Sequence, residues 1–180
     1  MIADRLHFTG VEEADRLLVE DPFALLVGFA LDQRVPVPKA FMGPWVLRER
    51  LGSLAPEVLA SADLEPVFRQ VPAIHRFPGM MAKQVHALAV HVVERYDGDA
   101  ARVWTTASSS EELRANIDGL PGFGTMKVKA LGSVLFKRFD VALAEPLVPW
   151  HPTLGDVDSA EALKDYQTAK KANKSVWESS

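Results

Sequence analysis

The segment LPGFGTMKVKA, residues 120–130, decides how the fold is read. It separates two helical patterns: one begins with the capping residue Ser109, and the other runs from about 125 to 138. Proline and two glycines around one apolar residue predict a tight turn, because glycine adopts left-handed backbone angles at little cost. The second helix is basic, and the free N–H groups at its start favour an anion such as a DNA phosphate. The layout predicts an element that binds the DNA backbone, and a plain glycine-capped interhelical turn is the alternative.

The rest of the chain also has helical periodicity, which predicts an all-α fold. Asp21 and Pro22 have the pattern of a cap and a first helical residue, and they open a helix that is apolar almost all round and therefore central. We expect an interruption near Gly43, an irregular loop over 139–155, Asp158 as the cap of the last helix, and a frayed tail over 175–180. The predicted helices are 9–20, 23–34, 39–51, 56–60, 64–70, 80–96, 99–104, one that begins at 109, 125–138 and 158–174.

Composition limits the possible functions. Of the 180 residues, 48% are hydrophobic, so the chain can bury a core as one domain or two small lobes. The net charge of −4 means that any contact with DNA must come from local basic patches. The chain has no cysteine, which excludes disulfides, thiolate zinc sites and cysteine-ligated iron–sulfur clusters, and the histidines form no metal pair. With no signal core or apolar run of membrane length, we expect no membrane contact and a cytoplasmic protein.

Three blocks of the sequence resemble the helix-hairpin-helix-GPD family of base-excision DNA glycosylases. Residues 21–33, DPFALLVGFALDQ, are similar to the family's NPFELLVAxILSQQ helix. Residues 79–88, GMMAKQVHAL, resemble its GxxxxKAxxL helix, and residues 120–130 resemble its hairpin, LPGVGxxTA. With the phrase HRFPG at 75–79, the chain looks closest to a cluster-free actinobacterial-type subfamily whose members are called repair proteins by similarity only.

The resemblance implies two helical lobes, with duplex DNA across the cleft between them and a damaged or mismatched base flipped into it. One lobe would combine residues 1–36 with 125–180, and the other would be a helical barrel over 37–124. It also implies a DNA N-glycosylase. We expect no cofactor and take a monomer as the default oligomeric state. The residues expected to contact DNA are Gly122, Phe123, Gly124, Lys127, Lys129, Gln33, Arg34 and Arg76. For Arg76 a role in loop packing is the alternative, and Trp150 either packs or stacks on a base.

The chain departs from this family at the position of the lyase lysine. Bifunctional members have a lysine two residues after the second hairpin glycine, where it forms a Schiff base with the sugar. That position is Met126 here, and Lys127 lies one residue further, rotated by about 100° around the helix. We therefore expect a monofunctional enzyme without strong β-lyase activity.

The chain also departs from the family at the catalytic aspartate, which the resemblance places 24 residues after the hairpin leucine. That position is Ala144 here. Four carboxylates remain as alternative catalytic residues: Asp158, Asp32, Glu145 and Asp140. Asp158 has the expected setting before the next helix, although it is also an ordinary cap. Asp32 ends an apolar helix that should face the cleft, although it could instead cap Arg34.

The missing aspartate leaves a second class of function open. A protein on this scaffold could bind DNA through the hairpin and sense lesions or DNA shape without catalysis, and an RNA or protein partner is a further alternative. The sequence does not identify the lesion, because pocket shape separates the candidate bases and the pocket is assembled from several helices.

Overall fold

The computed structural model describes residues 1–179, and this part of the chain is all-helical with no β-strand. The predicted all-α class is therefore confirmed. The α-helices are α1 Glu12–Glu20, α2 Pro22–Leu31, α3 Val37–Leu51, α4 Pro56–Ser61, α5 Glu65–Arg69, α6 Pro78–Tyr96, α7 Arg102–Thr105, α8 Ser110–Asp118, α9 Thr125–Phe139 and α10 Ala160–Glu178. Two 3-10 helices, η1 Ala142–Leu147 and η2 Leu154–Asp156, lie between α9 and α10.

Helix α2 is the centre of the core, as its composition predicts. Every residue from Phe23 to Leu31 is buried. The Asp21 carboxylate accepts hydrogen bonds from the backbone N–H groups of Phe23, at 2.9 Å, and Ala24, at 3.4 Å, while Pro22 is the first helical residue. The predicted cap is therefore confirmed, and it satisfies N–H groups that would otherwise be buried without acceptors.

Helix α3 packs closely on α2 because glycine removes the side chain at the crossing. A Cβ atom on Gly28 would lie 2.4 Å from the Phe41 ring. Phe41 also makes edge-to-face contacts with Phe8 and Phe29, at ring-centroid distances of 4.8 and 5.1 Å. These rings join the N-terminal segment, α2 and α3 around one point of the core.

The predicted interruption of α3 near Gly43 is wrong, because the helix is continuous over Val37–Leu51 with Pro44 inside it. Gly43 and Pro44 are both buried, and a Cβ atom on Gly43 would lie 2.3 Å from a methyl carbon of Leu31. An internal proline costs a helix about 3 kcal/mol. Tertiary packing of this segment outweighs that local cost.

Several predicted helix ends are also corrected. The first helix begins at Glu12, because the Thr9 hydroxyl donates to the Asp15 carboxylate, at 2.8 Å, instead of capping the helix. The cap of α10 is Ser159, whose hydroxyl accepts from the N–H of Ala162 at 3.0 Å. Asp158 lies one residue before it and is exposed.

The segments on either side of α10 are more ordered than the sequence indicates. The segment 139–155, predicted as a loop, contains η1 and most of η2, which pack on α9 where Gly132 faces Leu147 and Gly155 faces Ser133. Helix α10 continues to Glu178 instead of fraying after 174, because Trp177 is buried. Ser180 lies outside the described residues.

One hydrophobic cluster joins residues from both predicted lobes, including Phe41, Val85 and Leu131. The division into residues 1–36 plus 125–180 and 37–124 stays a prediction. Within the described part of the chain, no helix combines the length and apolar character needed to cross a bilayer.

Replacing Phe41 by alanine should cost about 3–5 kcal/mol of unfolding free energy, because it empties the ring site between α2 and α3. Urea denaturation measures this change. Val58→Ala, at an exposed site, is the control and should change stability by less than about 0.5 kcal/mol. A loss below about 1 kcal/mol for Phe41→Ala would show that the aromatic contacts are not central to the core.

Candidate functional site

A cleft of about 90 Å³ lies where the end of α2, the first turns of α9, the η2 segment and α10 meet. Its wall combines apolar and aromatic side chains with both signs of charge. Its lining residues include Phe29, Asp32, Lys127, His151, Tyr166 and Lys170. A mostly apolar pocket with a few convergent charged groups is the usual setting of a ligand or reaction site.

The C-terminal end of α2 forms one side of the cleft and is held by side chains from other elements. The Ala30 carbonyl accepts hydrogen bonds from Lys127 Nζ and from Gln33 Nε2, each at 3.1 Å. The Leu31 carbonyl accepts from His75 Nε2 at 3.0 Å, and His75 Nδ1 accepts from the Phe77 N–H. These carbonyls carry the negative end of the helix dipole, so a lysine is a favourable partner. His75 therefore packs and caps inside the protein.

Asp32 follows directly after α2 and is half-buried in the cleft wall. Burial raises the pKa of its carboxyl group, while the positive charges of Lys170 and Lys127 oppose this rise. A carboxyl group in such a setting exchanges its proton closer to neutral pH than an exposed one, which suits general acid or base chemistry.

Lys127 lies in the first turn of α9, and its ammonium group faces the end of α2. In addition to the bond to Ala30, Nζ lies 3.5 Å from the Gly122 carbonyl and 5.3 Å from the centre of the Phe123 ring. Burial lowers the pKa of Lys127 to about 8, and the negative charge of Asp32 opposes this. The phosphate contact expected for Lys127 stays a prediction, and in this structure its ammonium group faces the cleft.

The opposite wall of the cleft comes from α10 and the segment before it. Tyr166, Lys170 and Lys174 recur every four residues, so they share one face of α10. Burial raises the pKa of the Tyr166 hydroxyl, which stays protonated. His151 stacks flat on Trp177, with ring centroids 4.8 Å apart and planes 6° apart. The cleft is thus bounded by aromatic rings on the side away from α2.

The turn between α8 and α9 is a type II turn. The Phe123 N–H donates to the Leu120 carbonyl at 3.0 Å, Pro121 is the second residue, and Gly122 has the left-handed φ of 79° that the third position needs. A Cβ atom on Gly122 would overlap the Gln84 side chain. Gly122 and Gly124 are exposed, whereas the Phe123 ring is buried, so only the backbone of Phe123 is available at the surface.

Helix α9 begins at Thr125 after the N-cap residue Gly124, and no side chain among the described residues caps it. The first N–H groups of the helix are therefore available to an anion from outside. Ser109, predicted as the cap of the preceding helix, accepts from the Glu112 N–H at 3.1 Å, so that cap is confirmed.

The remaining predicted DNA contacts lie in two places. Arg34 and Arg76 are exposed and flank the Phe77 ring, with guanidinium carbons 5.9 and 5.4 Å from its centre. Gln33 lies between them and the turn, since its Nε2 is 3.4 Å from Gln84 Oε1. Lys129 is half-buried in the cleft wall beside Lys127, and Trp150 is 70% exposed next to His151.

The four candidate carboxylates differ in their position relative to the cleft. Asp32 lines the cleft, and the other three do not. Asp140 follows the far end of α9, about 20 Å from Lys127 at 1.5 Å per residue, and pairs with the Met1 amino group at 2.5 Å. Glu145 is exposed on η1, and Asp158 is exposed before α10. Ala144, the position that the resemblance indicates for the catalytic aspartate, is fully buried.

Sequence reasoning missed the contribution of α10 to the cleft and the role of Gln84. The four-residue spacing of Tyr166, Lys170 and Lys174 was available as a signal, because it places them on one face. Nothing local marks Gln84 as the neighbour of Gly122. Among residues 1–179, no group of three histidine or carboxylate side chains is arranged to hold a metal ion.

Comparisons with protein-family models, with curated proteins and with solved structures found no match to this chain. The geometry of the cleft and of the turn beside it is therefore what supports a function.

Asp32→Asn should stabilise the protein at neutral pH. Burial raises the pKa of Asp32 in the folded protein. Between the ordinary aspartate pKa and this raised pKa, the folded state binds a proton that the unfolded chain has lost. The free energy of unfolding therefore falls as the pH rises through this range. An asparagine side chain does not titrate, so the variant does not lose stability over this pH range. We expect its Tm to exceed that of the unaltered protein at pH 7.5, with a difference that shrinks towards pH 4.

Thermal melts at the two pH values make this comparison. Asp158→Asn has the same change of charge at an exposed site and should leave the pH dependence unaltered. A lower Tm for Asp32→Asn at pH 7.5 would mean that attraction to Lys127 and Lys170 outweighs the cost of burial.

Proposed function

We propose that this protein is a monofunctional DNA glycosylase that flips a damaged or mismatched base from duplex DNA and hydrolyses its N-glycosidic bond. The observation that carries the proposal is the position of Asp32: it is the one candidate carboxylate in the cleft, within electrostatic range of Lys127 at the start of the helix that follows the exposed glycine turn. A glycosylase needs a carboxylate at the reacting sugar and a contact that holds the DNA backbone.

In this proposal, the backbone of Gly122–Gly124 and the first N–H groups of α9 bind a phosphate of the duplex. The type II turn supports this, because it exposes both glycines and leaves no side chain between the backbone and an approaching phosphate. Arg34 and Arg76 form a second exposed cationic site around Phe77 and contact the duplex on the other side of the cleft. Gln33 fills the space that the flipped base leaves.

The ionised Asp32 carboxylate stabilises positive charge on the sugar as the bond between C1′ and the base nitrogen breaks. It also orients the water whose oxygen forms the new bond to C1′, and it accepts a proton from that water. The bonding electrons leave with the base, and the ammonium groups of Lys127 and Lys170 stabilise its developing negative charge. The proton that Asp32 accepted from the water is then transferred to the base, so that Asp32 is ionised again and the products are the neutral free base and an abasic sugar with a hydroxyl at C1′.

Lys127 acts here as a cation and not as a lyase nucleophile. Its Nζ donates to the Ala30 carbonyl, and a Schiff base would require both the loss of this bond and the loss of a proton. Hydrolysis without efficient strand cleavage is therefore the proposed outcome.

One observation favours a second candidate, a lesion-sensing protein without catalysis. The position where the resemblance implies a catalytic aspartate is Ala144, and its side chain is fully buried. The turn and the arginine pair would then serve binding alone, and Asp32 would have no catalytic role.

Release of a base from duplex DNA should depend on Asp32. Labelled duplexes carrying uracil or thymine opposite guanine, hypoxanthine, methylated adenine, oxidised guanine or an abasic site are incubated with the protein and read with and without hot alkali. We expect breaks on one base-containing duplex only after alkali. Asp32→Asn should reduce release at least about a hundredfold while binding persists, since a group that acts in the transition state contributes on this scale.

Matched controls are Asp158→Asn, Glu145→Gln and Asp140→Asn, which should all retain activity. If one of these variants no longer released the base while Asp32→Asn remained active, the reaction would not take place in this cleft. Strand breaks without alkali, with borohydride trapping of the protein, would contradict the monofunctional reading. Tight binding without release from any duplex would favour the sensing protein.

Gly124→Ala should weaken binding to duplex DNA without loss of stability. A Cβ atom on Gly124 has no neighbour within 4 Å, and the φ of −115° suits any residue, so the turn keeps its conformation. The added methyl group would stand where the phosphate approaches. Electrophoretic shift assays should show affinity reduced by about threefold to tenfold, comparable to the loss of one charge-assisted hydrogen bond.

Thermal melts of Gly124→Ala are the control for folding. Gly122→Ala is the contrasting variant and should lose stability, since it forces a left-handed φ and overlaps Gln84. If the folded Gly124→Ala variant bound duplex DNA with unchanged affinity, the turn would not be part of the DNA interface.

A further inference from the structure

Among residues 1–179, more lysines than carboxylates line the cleft. The lysines are Lys127, Lys129, Lys170 and Lys174, and the carboxylates are Asp32 and Glu178. Glu178 lies 3.8 Å from Lys174 Nζ and neutralises that lysine on the helix surface. Lys170 lies over the Tyr166 ring, 5.8 Å from its centre, and together with Lys127 it faces Asp32. A ligand in the cleft therefore meets the ammonium groups of Lys127 and Lys170.

His151 adds an acceptor to the aromatic wall. It is 6% exposed, and its Nδ1 lies 2.9 Å from the Pro152 carbonyl. Since a carbonyl only accepts, Nδ1 carries the proton in the neutral ring and Nε2 is an acceptor. Nε2 is buried and has no hydrogen-bond partner among the described residues. A buried acceptor without a partner costs stability, and a donor that reaches it when a ligand binds would recover part of that cost.

We propose that the cleft selects a neutral base with a lactam group, in which a ring N–H adjoins a carbonyl, and rejects a cationic alkylated base. This inference rests on the proposed function and specifies its substrate class. Uracil, hypoxanthine and oxidised guanine have this group. The carbonyl accepts from the lysine ammonium groups, the ring N–H donates to the acceptor side of the wall, and the ring packs on the surrounding aromatic residues.

Electrostatics and desolvation both support this selection. An adenine methylated at N1 or N3, or a guanine methylated at N7, carries a positive charge in the nucleoside, and the ammonium groups of Lys127 and Lys170 repel it. A neutral lactam gains charge-assisted hydrogen bonds from the same groups. A site built around polar groups rejects a ligand that leaves them unpaired far more strongly than a purely apolar pocket does.

Binding of free nucleosides tests the inference without relying on catalysis. The probes are inosine, a neutral lactam, adenosine, a neutral purine without the lactam, and 1-methyladenosine, a cation at pH 6.5. Protein with ¹⁵N-labelled tryptophan is titrated with each, and the indole N–H signal of Trp177, assigned with Trp177→Phe, reports binding at the His151 stack. We expect inosine to bind at least about tenfold more tightly than 1-methyladenosine, with adenosine between them.

Lys170→Gln should reduce the preference for inosine over 1-methyladenosine to about threefold or less, because it removes one ammonium group from the cleft. Lys171→Gln is the matched control: it makes the same substitution one residue further, at an exposed site outside the cleft, and should retain the preference. Equal or tighter binding of 1-methyladenosine would overturn the inference, and so would the absence of any shift at Trp177 with all three probes.

The outcomes separate this inference from the proposed function. Selective binding of inosine without base release from any duplex would support the lactam selectivity and contradict the proposed glycosylase activity. Release of a methylated base from duplex DNA, with no preference for inosine over 1-methyladenosine, would support the glycosylase activity and contradict the lactam selectivity.

Discussion

The burial of α2 on every side is the constraint on which the rest of the structure depends. A ten-residue helix with no polar face must be covered all round, and each large apolar side chain buried contributes roughly 1.5–3 kcal/mol. The cover comes from α1, α3 and α6 together with the N-terminal segment. Gly28 permits the closest approach, because it lets the Phe41 ring lie directly against the helix backbone.

The same burial creates the candidate site. When a fully buried helix ends, its last carbonyl groups need donors, and here Lys127, Gln33 and His75 provide them from inside the protein. Asp32, the next residue, then lies beside those donors in a partly buried position. The raised pKa of Asp32 and the lowered pKa of Lys127 have one cause, the removal of both groups from water. Stability is lost where reactive groups are gathered, as is common in functional sites.

The turn before α9 connects this interior to the surface. Its left-handed glycine and buried phenylalanine anchor the start of α9, so that Lys127 extends inward while the glycine backbone faces outward. Gln84 on α6 touches both Gly122 and Gln33 and thereby joins the turn to the end of α2. A ligand bound at the turn and one bound in the cleft would therefore contact two sides of the same rigid element.

Local sequence patterns by themselves determined the all-α class, the capped and fully buried α2, and the tight turn before α9. These features depend on helical periodicity, on caps such as Asp21 and Ser109, and on the backbone freedom of Gly122, all of which act within a few residues. The continuity of α3 through Pro44, the order of the segment after α9 and the burial of Trp177 depend on packing between distant segments, which no local pattern encodes. Only the tertiary structure distinguished Asp32 from the other candidate carboxylates, which are Asp140, Glu145 and Asp158. Asp32 is removed from water and lies near Lys127 and Lys170 because three helices that are distant in the sequence come together there.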